Sequence, residues 1–203
     1  MSVNIELNTK EINNVVCLNV LKMLKRRKLI DNVDTSFEEI KDDINQKAII
    51  EFRLNNDTLC SIYFVTTKIN SIAEKSQIDE YLSNNILIHK ILILKEAAKR
   101  VLKQIQTEYK NTEYFFENEM IIDITTIIII PVHILLEEEE KKELLLKYEE
   151  NKLLNILDND PMARYYNAKV GDIFKIIRSS IVAGNSVIYR KVVHSDISIF
   201  IES

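Results

Sequence analysis

The 203-residue sequence lacks tryptophan and contains only two glycines, two prolines and two cysteines. Two glycines are too few for the glycine-rich loops that cradle phosphate groups. Cys17 and Cys60 each lie in an apolar run, so we expect buried free thiols and no disulfide framework. The formal net charge of −4 excludes an overall basic signature for nucleic acid, so any contact with DNA or RNA must be local.

The sequence also lacks a long hydrophobic run. Residues 127–136 form the longest one, about half of the roughly 20 residues that cross a membrane, and Pro131 and His133 interrupt it. The first residues are polar and have no signal-peptide core. With 46% hydrophobic and 29% charged residues, the composition is that of a globular protein. We expect a soluble, intracellular chain with no membrane partner and no small-molecule substrate.

The first 130 residues alternate between helix and strand periodicity. A 3.6-residue rhythm predicts a helix with Thr9 as its N-cap, and the acidic start of a second segment predicts another helix capped by Ser36. Apolar, β-branched runs predict strands. The predicted helices cover residues 9–29, 36–44 and 95–106, and the predicted strands cover 48–54, 60–66, 86–94 and 119–130.

The basic cluster at residues 25–28 ends the first predicted helix. It fits favourable charge at a helix C-terminus, and a phosphate contact is the alternative. Both interpretations stay open at the level of the sequence.

Most of the glycine and proline lies in residues 160–184. Asp160 and Pro161 form a strong helix start, with Asp160 as N-cap and Pro161 at the first helical position. Two predicted strands, residues 170–180 and 185–193, flank Ala183-Gly184-Asn185, which predicts a hairpin. Gly171 opens the first of these strands. A helix rich in Glu at its start, from residue 137, precedes this module.

Catalytic chemistry finds little support. His89, His133 and His194 stand far apart without metal-ligand spacing, and we expect His89 to be a satisfied histidine of a core or edge strand. Glu39 and Lys41, with Asp31 or Asp34 upstream, match the spacing of a metal-dependent nuclease, but that segment has helix periodicity. We therefore predict no catalytic residue, no metal ligand and no cofactor.

Residues 133–193 carry an ordered series of residues that resembles one family. The series begins with His133, continues through EKKELLLKY at 140–148 and the Asp160-Pro161 turn, and ends with the Gly184 turn and the Tyr189-Arg190 strand. It resembles the C-terminal domain of the fifth subunit of eukaryotic DNA-directed RNA polymerases, the subunit common to polymerases I, II and III. In the archaeal enzyme the same domain makes up an entire small subunit. The order of elements in residues 1–130 resembles the jaw domain of the eukaryotic subunit.

The resemblance implies an α+β fold in two domains, a jaw domain at 1–130 and an assembly domain at 131–203. It implies a non-catalytic polymerase subunit that docks on the largest subunit and lies beside the downstream DNA duplex. It further implies a nuclear location, or a viral factory or cytoplasm for a viral source.

Two sets of residues are candidates for these contacts. Arg and aromatic side chains are favoured at protein interfaces, although charges on these strands fit equally well as the outward side of a wet sheet. The candidate partner interface is Arg164, Tyr165, Lys175, Arg178, Tyr189 and Arg190. The candidates for non-specific phosphate contact are Lys99, Arg100 and Lys103 of the jaw helix.

Departures from the family pattern are local. Asn167 stands where the family has Gly, and Asn tolerates the same left-handed conformation. Residues 194–203 extend past the last family strand as an extra edge strand or a flexible tail. Two other functions stay open: an adaptor outside the polymerase that reuses the C-terminal module, and a nuclease.

Overall fold

The structure is a computed structural model that describes residues 8–180 and 184–195. It combines helices with two mixed sheets, which confirms the α+β fold class. The chain divides into two compact units, Met1–Asp123 and Ile124–Ser203. The sequence-based boundary after residue 130 lies slightly further along the chain and stays a prediction.

The described part of the N-terminal unit forms helices around one four-stranded sheet. Its helices are α1 (Thr9–Arg26), α2 (Val33–Ile40), α3 (Gln77–Ser83), α4 (Lys99–Glu108) and α5 (Glu117–Met120). Its strands are β1 (Ile49–Arg53), β2 (Leu59–Val65), β3 (His89–Leu94) and β4 (Thr112–Phe116). The sheet order is β1-β2-β3-β4; β1 is antiparallel to β2, and the other two pairings are parallel. The central strands β2 and β3 are buried almost throughout, as expected of parallel strands covered on both faces.

The N-caps of α1 and α2 differ from those predicted. Asn8, not Thr9, caps α1, and its side chain accepts a hydrogen bond from the Glu11 N–H at 3.0 Å while Glu11 bonds back to the Asn8 N–H. This is a complete capping box, one residue earlier than predicted. Asn32, not Ser36, caps α2, so that helix begins at Val33. In both helices an Asn side-chain oxygen, and not the predicted Thr or Ser hydroxyl, accepts the hydrogen bond from the first turn.

The apolar stretch at residues 119–130 is not a strand, so that prediction was wrong. Its start belongs to α5, a single 3₁₀ turn follows at Ile124–Thr126, and Ile128 and Ile129 are exposed. The predicted strand at 86–94 begins only at His89, and the predicted helix at 95–106 begins only at Lys99. Neither α3 nor β4 was predicted from the sequence.

The basic cluster at the end of α1 holds the N-terminal unit together. Both terminal guanidinium nitrogens of Arg27 donate hydrogen bonds to the carboxylate of Glu113 on β4, at 2.7 and 2.8 Å. Arg26 pairs with the buried Asp123 at 3.0 Å. His89 Nε2 lies 2.6 Å from Glu113 Oε1, which confirms that His89 is a satisfied histidine. Arg26 and Arg27 therefore serve the fold.

The C-terminal unit also builds one four-stranded sheet. Its elements are β5 (Val132–Leu135), α6 (Glu138–Leu145), β6 (Leu154–Leu157), α7 (Pro161–Tyr165), β7 (Ile173–Ser180) and β8 (Gly184–Val193). The order is β5-β7-β8-β6, with β6 parallel to β8 and the other pairs antiparallel. The predicted hairpin and short helix are confirmed. Both outer strands, β5 and β6, are four residues long and were missed.

Tight corners account for both glycines and for Pro161. The Asp160 side chain accepts from the Met162 N–H at 2.8 Å, with Pro161 at the first helical position of α7. Gly171, two residues before β7, has φ +93°, and Gly184 at the start of β8 has φ +70°. Asn167 has φ +51°, the left-handed conformation expected there. The Ala183 part of the predicted turn and the tail from residue 196 lie outside the described residues.

Candidate protein-docking surface

The sheet of the C-terminal unit has two different faces. Residues directly opposite each other in an antiparallel pair share a face, and neighbours along a strand alternate. One face, the core face, packs with α7 around a buried cluster. That cluster consists of Ile156, Ala163, Ala168, Phe174, Ile176 and Val192.

The other face is exposed in part, and we call it the open face. Its register brings together residues from three strands: Val132 opposite Ile177, Ile134 opposite Lys175, Ile177 opposite Val187 and Lys175 opposite Tyr189. Val132, Ile134 and Val187 are exposed aliphatic side chains. Exposed apolar groups that cluster on one surface mark binding sites more often than scattered ones do.

The predicted interface residues divide between the two faces. Lys175 and Tyr189 are directly opposite each other on the open face. Arg178 and Arg190 alternate onto the core face, where Arg190 lies opposite Phe174 and Arg178 is exposed opposite Ser186. The Nε atom of Arg190 is buried and has no hydrogen-bond partner among the described residues.

The two candidates on α7 also differ in exposure. Arg164 is half-buried in the last turn of the helix. Tyr165 is buried, and its ring meets that of Tyr166 at a centroid distance of 5.4 Å. Tyr166 in turn contacts Phe174 of the core cluster. Tyr165 therefore presents little surface to a partner in this arrangement.

One end of the open face is partly covered by the segment after α6. The ring of Tyr148 lies 6.1 Å from that of Tyr189, and Lys191 donates to Glu150 in a 2.8 Å ion pair. The hydrogen bond and charge of Lys191 hold the pKa of Glu150 below its ordinary value. These contacts leave the β5 side of the face uncovered.

Sequence reasoning missed three exposed aliphatic residues at the start of the C-terminal unit. Ile128 is 100% exposed, Ile129 90% and Val132 59%. Their β-branched composition is typical of a buried strand, which is why the prediction failed. The absence of any charge between Asp123 and Glu137 pointed to burial as well, since a solvated segment of that length normally carries charges.

Asp158, His194 and Ser195 come together at the end of β6 and β8. His194 Nδ1 lies 2.8 Å from one Asp158 carboxylate oxygen, and the Ser195 hydroxyl donates to the other at 2.6 Å. Burial tends to raise the pKa of Asp158, but the hydrogen bonds of Ser195 and His194 together lower it. Because the serine hydroxyl bonds to the carboxylate and not to the histidine, this is not the arrangement that activates a nucleophile.

Three other candidates for chemistry are a metal cluster, the nuclease spacing at Glu39 and the two cysteines. Within residues 8–180 and 184–195, no three His, Cys, Asp or Glu side chains converge as a metal site. Glu39 is exposed on the helix α2, so the nuclease spacing does not lie on a strand. Cys17 and Cys60 are buried free thiols, and burial raises the pKa of Cys17 to about 12, which makes it unreactive.

The candidate DNA residues lie on α4, whose Val101 and Ile105 are buried on the opposite side. Lys99 and Lys103 are exposed and four residues apart, so they share one helix face. Arg100 donates its Nε hydrogen to the Asn70 carbonyl at 2.6 Å, which ties it to the fold. In the described part of the chain, no helix has the length and apolar character to span a membrane.

Comparison with known proteins identifies the C-terminal unit. Residues 122–192 match the family described as "RNA polymerase Rpb5, C-terminal domain". This part of the chain is similar to that domain family. The family expectation drawn from residues 133–193 is thereby confirmed, and the Rpb5-like domain contains both faces of the sheet described above.

Individual relatives extend the comparison. A Dictyostelium discoideum protein named "DNA-directed RNA polymerases I, II, and III subunit rpabc1" is 38% identical over 96 residues, 46% of this chain and 49% of the relative. An Archaeoglobus fulgidus protein named "DNA-directed RNA polymerase subunit Rpo5" is 47% identical over 49 residues, 24% of this chain and 64% of the relative. The match to the Dictyostelium protein and to two similarly named relatives spans about half of their length.

A viral relative aligns across both units. The Acanthamoeba polyphaga mimivirus protein named "DNA-directed RNA polymerase subunit 5" is 28% identical over 189 residues, 88% of this chain and 91% of the relative. Similarity to this relative therefore includes the N-terminal unit, which lies outside the family match.

Proposed function

We propose that this chain is a non-catalytic subunit of a DNA-directed RNA polymerase. The observation that carries the proposal is the Rpb5-type domain at residues 122–192. The mimivirus relative supports it for the rest of the chain, since that protein aligns over both units. A scaffold subunit needs no nucleophile and no bound metal, so the structural roles of His89, Cys17 and Glu113 agree with this function.

In this proposal the C-terminal unit docks on the largest polymerase subunit. Lys175 and Tyr189 present one predicted contact on the open face, and Arg178 presents a separate one near the exposed end of the hairpin. Interfaces favour Arg and aromatic side chains with an apolar surround, which matches the Tyr189 neighbourhood.

The N-terminal unit, in the same proposal, lies beside the downstream DNA. The exposed pair Lys99 and Lys103 supplies phosphate contacts that position the duplex without reading its sequence. The formal net charge of −4 limits such contacts to this local patch. The protein would work in the nucleus, or in a viral factory or the cytoplasm if its source is a virus.

The test is a tagged pull-down of the full chain from its native cells, with the bound proteins identified by mass. Recovery of the two largest polymerase subunits in near-equal amounts supports the proposal. Recovery with unrelated partners replaces it with an adaptor outside the polymerase. Metal-dependent DNA cleavage by the purified chain that Glu39→Ala abolishes would instead revive the nuclease.

A second round asks where docking occurs. Arg178→Glu is expected to weaken retention of the chain in the complex, because it reverses the charge of an exposed side chain that is itself a proposed contact. Lys147→Glu, a reversal at another exposed position of the same unit, is the matched control and should leave retention unchanged.

A further inference from the structure

The uncharged segment at residues 127–134, which we call the aliphatic segment, is unusually exposed. Ile128 and Ile129 are 100% and 90% exposed, and Val132 and Ile134 are 59% and 40% exposed. Edge strands normally carry charges that discourage pairing with another chain. The aliphatic segment leads into the edge strand β5 and has no charged residue.

The outer edge of β5 has backbone groups available for pairing. Among the described strands, β5 pairs only with β7. The Leu136 N–H donates to the Ile173 carbonyl at 3.0 Å, so Leu136 directs its backbone groups towards the neighbouring strand. Because these directions alternate along an antiparallel strand, the N–H and C=O of His133 and Leu135 point away from β7.

The outward N–H and C=O groups of β5 indicate what kind of molecule can bind there. Alternating outward N–H and C=O groups are matched by an extended polypeptide that adds one more strand to the sheet. We propose that an extended segment of another polymerase subunit pairs with the free edge of β5 and covers the aliphatic segment. This inference rests on the proposed function and names the partner surface within it.

The chemistry of the open face describes the partner further. Val132 and Ile134 lie on this face, so the added strand must place apolar side chains at alternate positions beside them. Lys175 lies opposite Ile134 and has no ion pair among the described residues. A carboxylate on the partner segment, near this ammonium group, would complete the match.

A second copy of this chain is a poorer occupant. Stable specific interfaces bury roughly 800 Å² on each partner, and mutual pairing of two four-residue strands would bury much less. A segment belonging to a polymerase does not need that area, because other contacts hold the subunits together at high effective concentration. The small, uncharged edge therefore suits an assembly better than a dimer.

The test uses a matched pair of substitutions at His133 in the full chain. His133→Ala and His133→Pro both remove the ring, which contacts the Pro131 carbonyl and Phe174. Only His133→Pro also removes the outward N–H, and proline is tolerated on the solvent side of an edge strand. Tagged wild-type and variant chains are expressed in the native cells, and the polymerase that co-purifies with each is measured.

We expect His133→Pro to recover about tenfold less polymerase than His133→Ala, as the loss of a hydrogen bond and the steric block predict. Far-ultraviolet circular dichroism of both purified variants checks that each is folded. If the two variants recover equal amounts of polymerase, the inference is wrong, although the proposed function stands. If the wild-type chain recovers no polymerase, the proposed function itself fails.

A second measurement does not depend on the folding of the proline variant. A photo-crosslinking amino acid replaces Val132, and the same residue replaces exposed Lys47 as a control. Crosslinks from position 132 to another polymerase subunit, absent from position 47, support the strand pairing. Crosslinks from position 132 only to a second copy of this chain, or none at all, overturn it.

Discussion

Glu113 on β4 accepts hydrogen bonds from both terminal nitrogens of Arg27, at 2.7 and 2.8 Å, and thereby ties the end of α1 to the sheet. The side chains are only 14% and 5% exposed, so the pair is largely removed from water. His89 on β3 shares the same carboxylate at 2.6 Å. Arg27, at the end of α1, and His89, on β3, therefore both contact the carboxylate of Glu113 on β4.

Arg27→Met should destabilise the protein strongly. Removing one partner of a buried ion pair leaves the other charge without compensation, which costs about 3–5 kcal/mol. Met keeps most of the side-chain volume, so the change tests charge more than packing. The measurement is the free energy of unfolding in urea, followed by circular dichroism.

The matched control is Lys41→Met, which breaks the ion pair with Glu38. Both of those side chains are more than half exposed. Exposed pairs contribute only about 0–1 kcal/mol. A loss at Arg27 no larger than the loss at Lys41 would contradict the structural role of the buried pair.

Glu113 also predicts how stability depends on pH. Burial raises the pKa of its carboxyl, but the charge of Arg27 and the hydrogen bonds of His89 and Arg27 lower it from 4.5 to about 2. A carboxyl with a lowered pKa in the folded state stabilises the fold above its unfolded pKa. That contribution is lost as pH falls from about 4.5 towards 2.

Glu113→Gln isolates this effect from the other carboxylates. The wild type should be more stable than the variant at pH 6, and the difference should shrink as the pH is lowered to 3. Urea unfolding of both proteins at each pH provides the comparison. A difference that stays constant over this range would show that Glu113 is not ionised through its contact with Arg27.

Lys90 is a second buried charge, only 1% exposed, in β3. Its Nζ donates to the Leu82 carbonyl at 2.7 Å and also to the Asn84 carbonyl, and so closes the C-terminal end of α3. Lys90→Met should cost about 1–3 kcal/mol, because buried acceptors lose their donor. Faster amide hydrogen exchange in α3 should accompany the loss, and exposed Lys110→Met should change neither quantity.

Sequence patterns correctly predicted those helices and strands that depend mainly on their own residues. Periodicity predicted α1, and apolar runs predicted β2 and β3. The pair Asp160-Pro161 predicted the start of α7. The short outer strands were not predicted, because β5 and β6 exist only by pairing with residues far along the chain. A short strand cannot be told from a loop by periodicity alone.

The candidate docking surface shows the same limit. The sequence grouped Arg178 and Arg190 with Lys175, since all three interrupt apolar strands. Alternation along β7 separates Lys175 from Arg178, and the register of the hairpin places Arg190 on the same face as Arg178. One residue of register decides the face, and long-range packing sets that register. The exposure of Ile128 was hidden for a related reason: a β-branched residue has the same composition signal whether buried or exposed.

Gly171 offers a prediction about backbone conformation. Its φ of +93° is one that residues with a Cβ rarely adopt, although no atom lies within 4 Å of an added Cβ. Gly171→Ala should therefore destabilise the fold by about 1–2 kcal/mol through backbone strain alone. Asn167→Gly, at φ +51°, is the comparison and should be neutral or slightly stabilising. Equal thermal shifts for the two variants would argue against strain at Gly171.

The exposed lysines of α4 allow a test of the proposed DNA contact within the polymerase. The double variant Lys99→Ala/Lys103→Ala should weaken binding of the purified polymerase to a downstream duplex of any sequence. Each lost phosphate contact lowers the slope of log affinity against log salt by about 0.9, so the pair should lower it by about 2. Lys41→Ala/Lys47→Ala removes the same charge from exposed positions elsewhere in the N-terminal unit and should leave the slope unchanged. If both double variants shift the slope equally, net charge and not the α4 face governs the contact.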